Sequence, residues 1–276
     1  MLTADGARQR GELGRQAIAF QGGLLLTLLA VISPMGYFSD VYIWVRALQF
    51  LLVAMVATGL MVLGAPWQAL RIAVRRDRSV RQPGASRAAD AGQGPSRPVP
   101  GIRDRTPYLL ARPGAAVIAV NVVWLGWQLP VLYDAAKTNS AIAGASHLTC
   151  LGAGIVFWLQ LIGSRPLSPV ATPLRRLRLV VGTVGAMTIL GMVLVFGSAV
   201  VYPVYANSAH HLMTVLDDQQ LSGAVLWMGS LPPLITVAVV LLMRWLSDEE
   251  SEELSADLDR LLVPRRNAWS ARPGVR

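Results

Sequence analysis

YPVYANSAHHLMTVLDDQQLSGAVLW, the stretch from Tyr202 to Trp227, separates two long apolar segments and contains neither Lys nor Arg. It contains two histidines, His210 and His211, and two aspartates, Asp217 and Asp218. A link of this kind is typical of a loop between transmembrane helices on the side away from the basic loops. The rest of the chain is consistent with that interpretation.

The composition favours a membrane protein. Of the 276 residues, 53% are hydrophobic and 15% are charged, and the mean hydropathy is +0.47. A soluble domain carries about a quarter charged residues, so the apolar excess is too large for one buried core. The single cysteine excludes an intrachain disulfide framework. The sequence contains no Gly-rich phosphate loop, zinc-finger spacing or nucleophile elbow, and we predict that the protein is not an enzyme.

Six apolar runs are each long enough to cross a hydrocarbon core of about 30 Å. We predict helices, because lipid cannot satisfy exposed backbone groups and no alternating pattern suggests a barrel. The predicted fold is all-α, a polytopic bundle of about six transmembrane helices, with spans near residues 17–34, 41–63, 115–133, 147–162, 180–201 and 224–246.

These spans divide the chain into a cytoplasmic N-terminus (1–16), a six-span membrane domain (17–246) and a cytoplasmic C-terminal tail (247–276). Loop 67–112 of the membrane domain contains ten Arg and a Pro/Gly/Ser/Ala-rich centre, which predicts partial disorder. Its arginines are more typical of a cytoplasmic anchor than of a site for nucleic acid or acidic lipid. The acidic tail ends in leucines at helical spacing. They indicate a short amphipathic helix that is either solvated or bound to a partner.

Basic residues alternate from loop to loop. The N-terminus has three Arg, the second loop ten and the fourth four, whereas the first and fifth loops have none and the third has only Lys137. Because Lys and Arg favour the cytoplasmic side, both termini are predicted to be cytoplasmic, with multi-pass insertion in the bacterial plasma (inner) membrane. All three histidines and the cysteine then lie near the outer face.

The outer face gathers possible copper ligands. His147 and Cys150 are three residues apart on a predicted helix and therefore share a face, and Met213 follows His210 and His211 in the fifth loop. Imidazole, thiolate and thioether suit Cu(I), so the pattern predicts a copper site at His147, Cys150, His210 and His211. The alternative is that the paired histidines are solvated and the cysteine is a small packing residue.

A polar run and several aromatic residues also lie near the predicted outer face. The run Asp217-Asp218-Gln219-Gln220 comes just before an apolar segment that is predicted to be a helix, and carboxylates are favourable at the positive N-terminal end of a helix. It indicates either helix capping or a functional role. The aromatic residues near the outer rim are predicted to be interfacial anchors: Trp44, Trp124, Trp127, Tyr133, Tyr202 and Trp227.

Several short motifs occur in a distinctive order: Leu63-Gly64-Ala65-Pro66, LPVLYD at Leu129–Asp134, His147 with Phe157-Trp158, YPVY at Tyr202–Tyr205, and DQQLSG at Asp218–Gly223 with Trp227. With these motifs the chain resembles the CtaG family of polytopic cytochrome c oxidase assembly factors, which is distinct from the single-span copper chaperone of the same name. The resemblance covers about residues 42–250. It implies a role in delivering copper to a haem-copper oxidase or in otherwise assembling its copper centres.

The chain departs from the family pattern at several histidines. Arg46 and Phe50 replace a His pair in span two, with Gln49 kept between them, and Gln128 replaces the His before Leu-Pro in span three. Ala143 replaces a His one turn before His147. Arg46 is a permanent cation and would repel a metal ion unless an acid such as Asp40 or Asp134 pairs with it.

The leading hypothesis is a membrane assembly factor for cytochrome c oxidase that handles copper at the outer face. The alternatives are a scaffold or regulatory subunit without metal and a copper transport component. Transport is disfavoured because a path across the bilayer needs polar residues at the midplane, and the sequence has very few there. Expected partners are haem-copper oxidase subunits or other membrane proteins within the lipid bilayer, and no nucleic acid. Besides the metal ligands, the functional candidates are Arg46, Gln49, Gln128, Pro130, Tyr133, Asp134, Tyr205, Asp218, Gln219 and Trp227.

Overall fold

The computed structural model describes residues 2–64, 112–162, 172–206 and 213–270. Within these ranges the chain is helical and contains no β-strand, which confirms the predicted all-α fold. Five of the described helices are long and apolar enough to cross a membrane, and a bent helix pair supplies a sixth span if it is counted as one. The prediction of a polytopic helical bundle is therefore confirmed.

The described helices, in chain order, are α1 (Leu2–Ile32), α2 (Pro34–Val41), α3 (Ile43–Leu51), α4 (Thr58–Leu63), α5 (Pro113–Gly126), α6 (Pro130–Thr138), α7 (Ser140–Leu161), α8 (Pro173–Phe196) and α9 (Val215–Ser270). A π-helical turn (Leu52–Ala57) joins α3 to α4, and a 3-10 turn (Pro203–Tyr205) lies between α8 and α9. α3, the π turn and α4 together form the second span.

The first two spans are antiparallel. The side-chain amide of Gln49 in α3 donates to the carbonyl of Ala30 near the end of α1, at 2.8 Å. At the other end, Gly64 lies directly against Phe20. The loop predicted between these two spans is helical and forms α2. The hydroxyl of Ser33 caps this helix by accepting from the N–H of Met35 at 3.1 Å.

The third predicted span, 115–133, is corrected to a broken one. α5 ends at Gly126, α6 begins at Pro130, and their axes differ by 62°. Pro130 has no N–H to donate, and its ring forces the preceding Leu129 into an extended conformation with φ −65° and ψ 137°. The hydropathy pattern does not report this break, because the apolar residues continue through it.

Other helices begin earlier than the predicted spans, and for α7 and α9 this changes the setting of candidate residues. α7 begins at Ser140, where the side chain of Asn139 accepts from the N–H groups of Ala141 and Ile142, so His147 lies two turns inside the helix instead of at its start. α9 begins at Val215, so the Asp-Asp-Gln-Gln run lies in its first turns and not in a loop. The C-terminal helix predicted in the tail is continuous with the sixth span.

Part of the predicted organisation lies outside the described residues. This applies to the basic loop at 67–112, apart from Arg112, and to the last six residues. It also applies to His210 and His211. The domain boundaries and the sidedness of the membrane therefore stay predictions.

A π turn and a tryptophan join the second span to α7. The indole N–H of Trp158 donates to the carbonyl of Met55 at 2.8 Å, and the hydroxyl of Thr58 donates to the carbonyl of Ala54 at 2.7 Å. A π turn leaves carbonyls without their usual helical partners, and in an apolar bundle they need other donors. Gly154 of α7 lies against Ala54 and Thr58, so the two helices approach at backbone distance.

The α8–α9 pair crosses through two glycines. A Cβ added at Gly191 would lie 2.8 Å from the carbonyl oxygen of Gly223, and a Cβ added at Gly223 would lie 2.7 Å from that of Gly191. Small residues at such crossings allow two membrane helices to approach closely. The pair therefore depends on the absence of side chains at both positions.

We expect the substitution Gly191→Ala to destabilise the bundle by roughly 1–3 kcal/mol, because the added methyl meets backbone atoms that cannot move independently. Gly182→Ala is the matched control on the same helix, since a Cβ there meets nothing within 4 Å. The thermal unfolding midpoint of both variants in detergent tests this. Equal midpoints would show that the crossing tolerates a methyl group.

Candidate functional site

A small polar cavity lies at the end of the bundle where α3, α6 and α7 meet. Its volume is about 70 Å³, enough for an ion or a few water molecules. Six of the candidates predicted from the sequence line it together: Arg46, Gln49, Gln128, Tyr133, His147 and Cys150. The structure thus brings together residues that are up to about a hundred positions apart in the chain.

Helical spacing explains why these side chains share the cavity. Residues 46, 49, 50 and 53 of the second span line it, as do residues 143, 146, 147 and 150 of α7. Both sets follow the i, i+3, i+4, i+7 pattern of one helix face. Two polar lining residues were not among the candidates from the sequence, Ser39 and Ser146. Ser146 could have been found from its helical spacing to Ala143 and Cys150, whereas Ser39 lies in a segment predicted to be a loop.

Arg46 gives the cavity a fixed positive charge. Its guanidinium carbon lies 4.5 Å from the centre of the Tyr133 ring, a distance at which cation and ring attract each other. Arg46 also hydrogen-bonds to Tyr205 and is attracted electrostatically by the exposed carboxylate of Asp40. Since a guanidinium keeps its charge in proteins, Arg46 attracts anions and repels metal cations, while Asp40, which also lines the cavity, offsets part of that charge.

Three tyrosines form the wall beside Arg46. The rings of Tyr133 and Tyr202 stack with centres 4.0 Å apart, and Tyr205 lies 6.1 Å from Tyr133. The hydroxyl of Tyr202 donates to the carbonyl of Gln128 at 2.9 Å, and that of Tyr205 donates to the carbonyl of Ser39 at 2.8 Å. Burial raises the pKa of Tyr202 and of Tyr205 above the usual value, so both keep their protons and donate.

Two buried polar atoms beside the cavity have no hydrogen-bond partner among the described residues. They are the hydroxyl of Tyr133 and one carboxylate oxygen of Asp134. A buried polar atom left unsatisfied costs about 1–3 kcal/mol. Tyr133 lines the cavity, and its hydroxyl is a donor that the described residues leave unused.

Asp218 has a structural role that the sequence left open. Its side chain is fully buried, and its two carboxylate oxygens accept from the N–H groups of Ile43 at 2.8 Å and Trp44 at 2.9 Å. These N–H groups belong to the first turn of α3, where Tyr42 provides no side-chain cap. Asp218 therefore caps α3 from another helix, and its charge lies at the positive end of that helix.

The two glutamines that follow hold the segment after α8. The side chain of Gln219 accepts from the N–H of Val201 at 2.6 Å and donates to the carbonyl of Ala199 at 3.1 Å. Gln220 donates to the carbonyl of Gly197 at 3.4 Å. This segment has no regular helix of its own, so the glutamines replace the missing backbone partners. Of the two interpretations of the run, capping applies to Asp218, but the helix that it caps is α3 and not its own.

Several predicted residues lie away from the cavity. Pro130 is exposed and starts α6, and Trp227 lies at the α8–α9 crossing beside Gly191. Asp134 and Tyr205 adjoin the cavity without lining it. The prediction of interfacial anchors is wrong for Trp124, Tyr133 and Tyr202, which are at most 3% exposed and belong to the core.

The described residues contain no group of three His, Cys, Asp or Glu side chains that could hold a metal ion. Of the four predicted copper ligands, His147 and Cys150 line the same cavity, while His210 and His211 lie outside the described residues. The part of the site that is described is therefore an imidazole and a thiol beside a guanidinium.

Comparison with known proteins gives one finding. A family model described as cytochrome c oxidase caa3 assembly factor (Caa3_CtaG) matches residues 2–248. The comparison returned no similar protein of curated function and no similar solved structure. The match includes every described residue that lines the polar cavity.

We expect Asp218→Ala to destabilise the protein by roughly 3 kcal/mol, because two buried N–H groups at the start of α3 lose a charged acceptor. Asp218→Asn should be intermediate, since an amide can accept at one oxygen only. Asp217→Ala is the control, because Asp217 is exposed and bonds to Thr214 in its own helix. Thermal unfolding in detergent measures all three. If D218A is as stable as D217A, the cap does not hold α3.

Proposed function

Because the chain belongs to the family of cytochrome c oxidase caa3 assembly factors, we propose that it helps to assemble a haem-copper oxidase by holding copper as cargo. The proposed place is the cavity between α3, α6 and α7, on the outer side of the bacterial plasma membrane. The observation that carries the proposal is that His147 and Cys150 line that one cavity. Oxidase subunits in the same membrane are the proposed partners.

The chemistry of this pair suits Cu(I). Thiolate and imidazole are the ligands that select it over harder ions. Arg46 repels a free cation, so the proposal requires that the thiol of Cys150 releases its proton as Cu(I) binds. Because a thiolate bound to Cu(I) carries no net charge, Arg46 does not repel the bound form as it would repel a divalent ion. The role proposed is binding and transfer, which requires no catalytic step.

A scaffold without metal is the second candidate. Arg46 and the Tyr133 hydroxyl form a pair of donors in the cavity, and a donor pair of this kind binds a carboxylate. In that case the site would receive an acidic side chain of a partner subunit. Copper transport has less support, because the bundle below the cavity is packed with apolar side chains such as Met55, Trp124 and Phe157.

Copper loading separates the first two candidates. Purified protein incubated with Cu(I) and passed over a desalting column should retain about one copper ion per chain. We expect His147→Ala combined with Cys150→Ser to lose at least tenfold in affinity, because no soft ligand then lines the cavity. The measurement is metal content by mass spectrometry, with affinity from competition against a Cu(I) chelator.

The control is Leu148→Ala, which lies between the two candidate ligands on α7 but is 72% exposed and does not line the cavity; it should bind copper like the unchanged protein. A second variant, His210→Ala with His211→Ala, tests the loop histidines separately. If the wild-type protein retains no more copper than the variant with His147→Ala and Cys150→Ser, the cargo role is excluded and the scaffold role remains.

The proposed outer location has its own test. An alkaline phosphatase fused after Asn207 should be active, because the enzyme folds only outside the cytoplasm, and a fusion after Gly84 should be inactive. The matching green fluorescent protein fusions should show the reverse. An inactive Asn207 fusion would place the cavity on the cytoplasmic side and remove it from the side proposed for copper transfer.

A further inference from the structure

A second, larger cavity lies at the opposite end of the bundle. It is an open groove of about 590 Å³ bordered by α4, α7 and α9, within the size range of small-molecule binding sites. Its lining is almost entirely apolar, with Leu60, Leu63, Leu161 and Val240 among the side chains. Exposed apolar residues are expected where a helix faces lipid, but a groove of this volume between three helices can hold a bound molecule.

The floor of this groove is rigid. Trp158 lines it, and its indole N–H is held by the carbonyl of Met55. Gly59, also in the lining, lies so close to Trp158 that an added Cβ would be 3.0 Å from the ring. The indole is therefore fixed between two helices and cannot swing across to fill the groove.

One end of the groove is positively charged. Arg244 is part of the lining, and Arg176 at the start of α8 is close enough for the two charges to repel each other. The guanidinium of Arg244 provides a planar fork of donors that matches the oxygens of a phosphate. The nearby charge of Arg176 adds to the positive potential at this end of the groove.

The length of the groove fits one leaflet of a bilayer. The lining residues on α9 extend from Pro232 to Arg244, about 18 Å along a helix, whereas half of a hydrocarbon core is about 15 Å. The charged end of the groove is the end where the second span and α7 finish, at Leu63 and Ile162. The arginines thus lie at the level of the lipid headgroups, and the apolar part lies at the level of the acyl chains.

We propose that this groove is a binding site for one anionic phospholipid, with an acyl chain on the Trp158 floor and the phosphate at the guanidinium of Arg244. The charge at one end and the apolar length below it together match this class of molecule. A transmembrane helix of a partner would match the apolar length alone. The proposal is independent of copper handling at the other end of the bundle.

The test uses full-length protein in nanodiscs that contain equal amounts of phosphatidylglycerol and phosphatidylcholine, followed by transfer to mild detergent and native mass spectrometry. Wild-type protein should retain about one phospholipid, with at least fivefold preference for phosphatidylglycerol. Arg244→Gln and Arg176→Gln should each reduce that preference several-fold. Arg178→Gln, which removes the same charge from an exposed position on α8, should leave it unchanged.

A groove-filling variant separates headgroup from chain. Val240→Trp places a large side chain where an acyl chain would lie and should abolish retention of either lipid, while its unfolding midpoint checks that it folds. Three results would overturn the proposal: wild-type protein without bound lipid, equal retention of both lipids, or retention that neither V240W nor R244Q changes. Loss of copper binding in any variant would not bear on it.

Discussion

The fold depends on satisfying the first backbone N–H groups of α3, because a helix that starts inside a bundle has no water to bond them. The carboxylate of Asp218 does this from α9, 175 residues away along the chain. Since α3 carries Arg46 and Gln49, the same contact fixes the position of two cavity residues. A capping interaction and the geometry of the candidate site are therefore one feature of the structure.

The two ends of the bundle differ in what they can bind. At one end, stacked tyrosines and Arg46 surround a small cavity that also holds His147 and Cys150. At the other end, a large apolar groove finishes at Arg244. The π turn and Trp158 lie between the two and hold the second span against α7. One pair of helices thus contributes walls to both sites, although their chemistry has little in common.

The apolar spans and the helix face that His147 and Cys150 share could be predicted from the sequence, because the first follows from hydropathy and the second from the helical period. The break between Gly126 and Pro130 could not, since an apolar run does not report where a helix bends. The partners of Asp218 could not be predicted either, because a carboxylate before an apolar run suggests a cap for its own helix and does not indicate a contact with α3. Trp124 looked like an interfacial anchor, because a sequence gives the depth of an aromatic residue but not the direction it faces.

The π turn at Leu52–Ala57 has a consequence for how variation would act on this protein. Such a turn takes up one residue more than an α turn within about the same full rotation. Deletion of one residue here would convert the turn to α-helix and leave the faces of α3 and α4 close to their present orientations. The same deletion within α3 would instead rotate one part of the span against the other by about 100°. The π turn is therefore the part of the second span where the loss of one residue would disturb the packing of the bundle least.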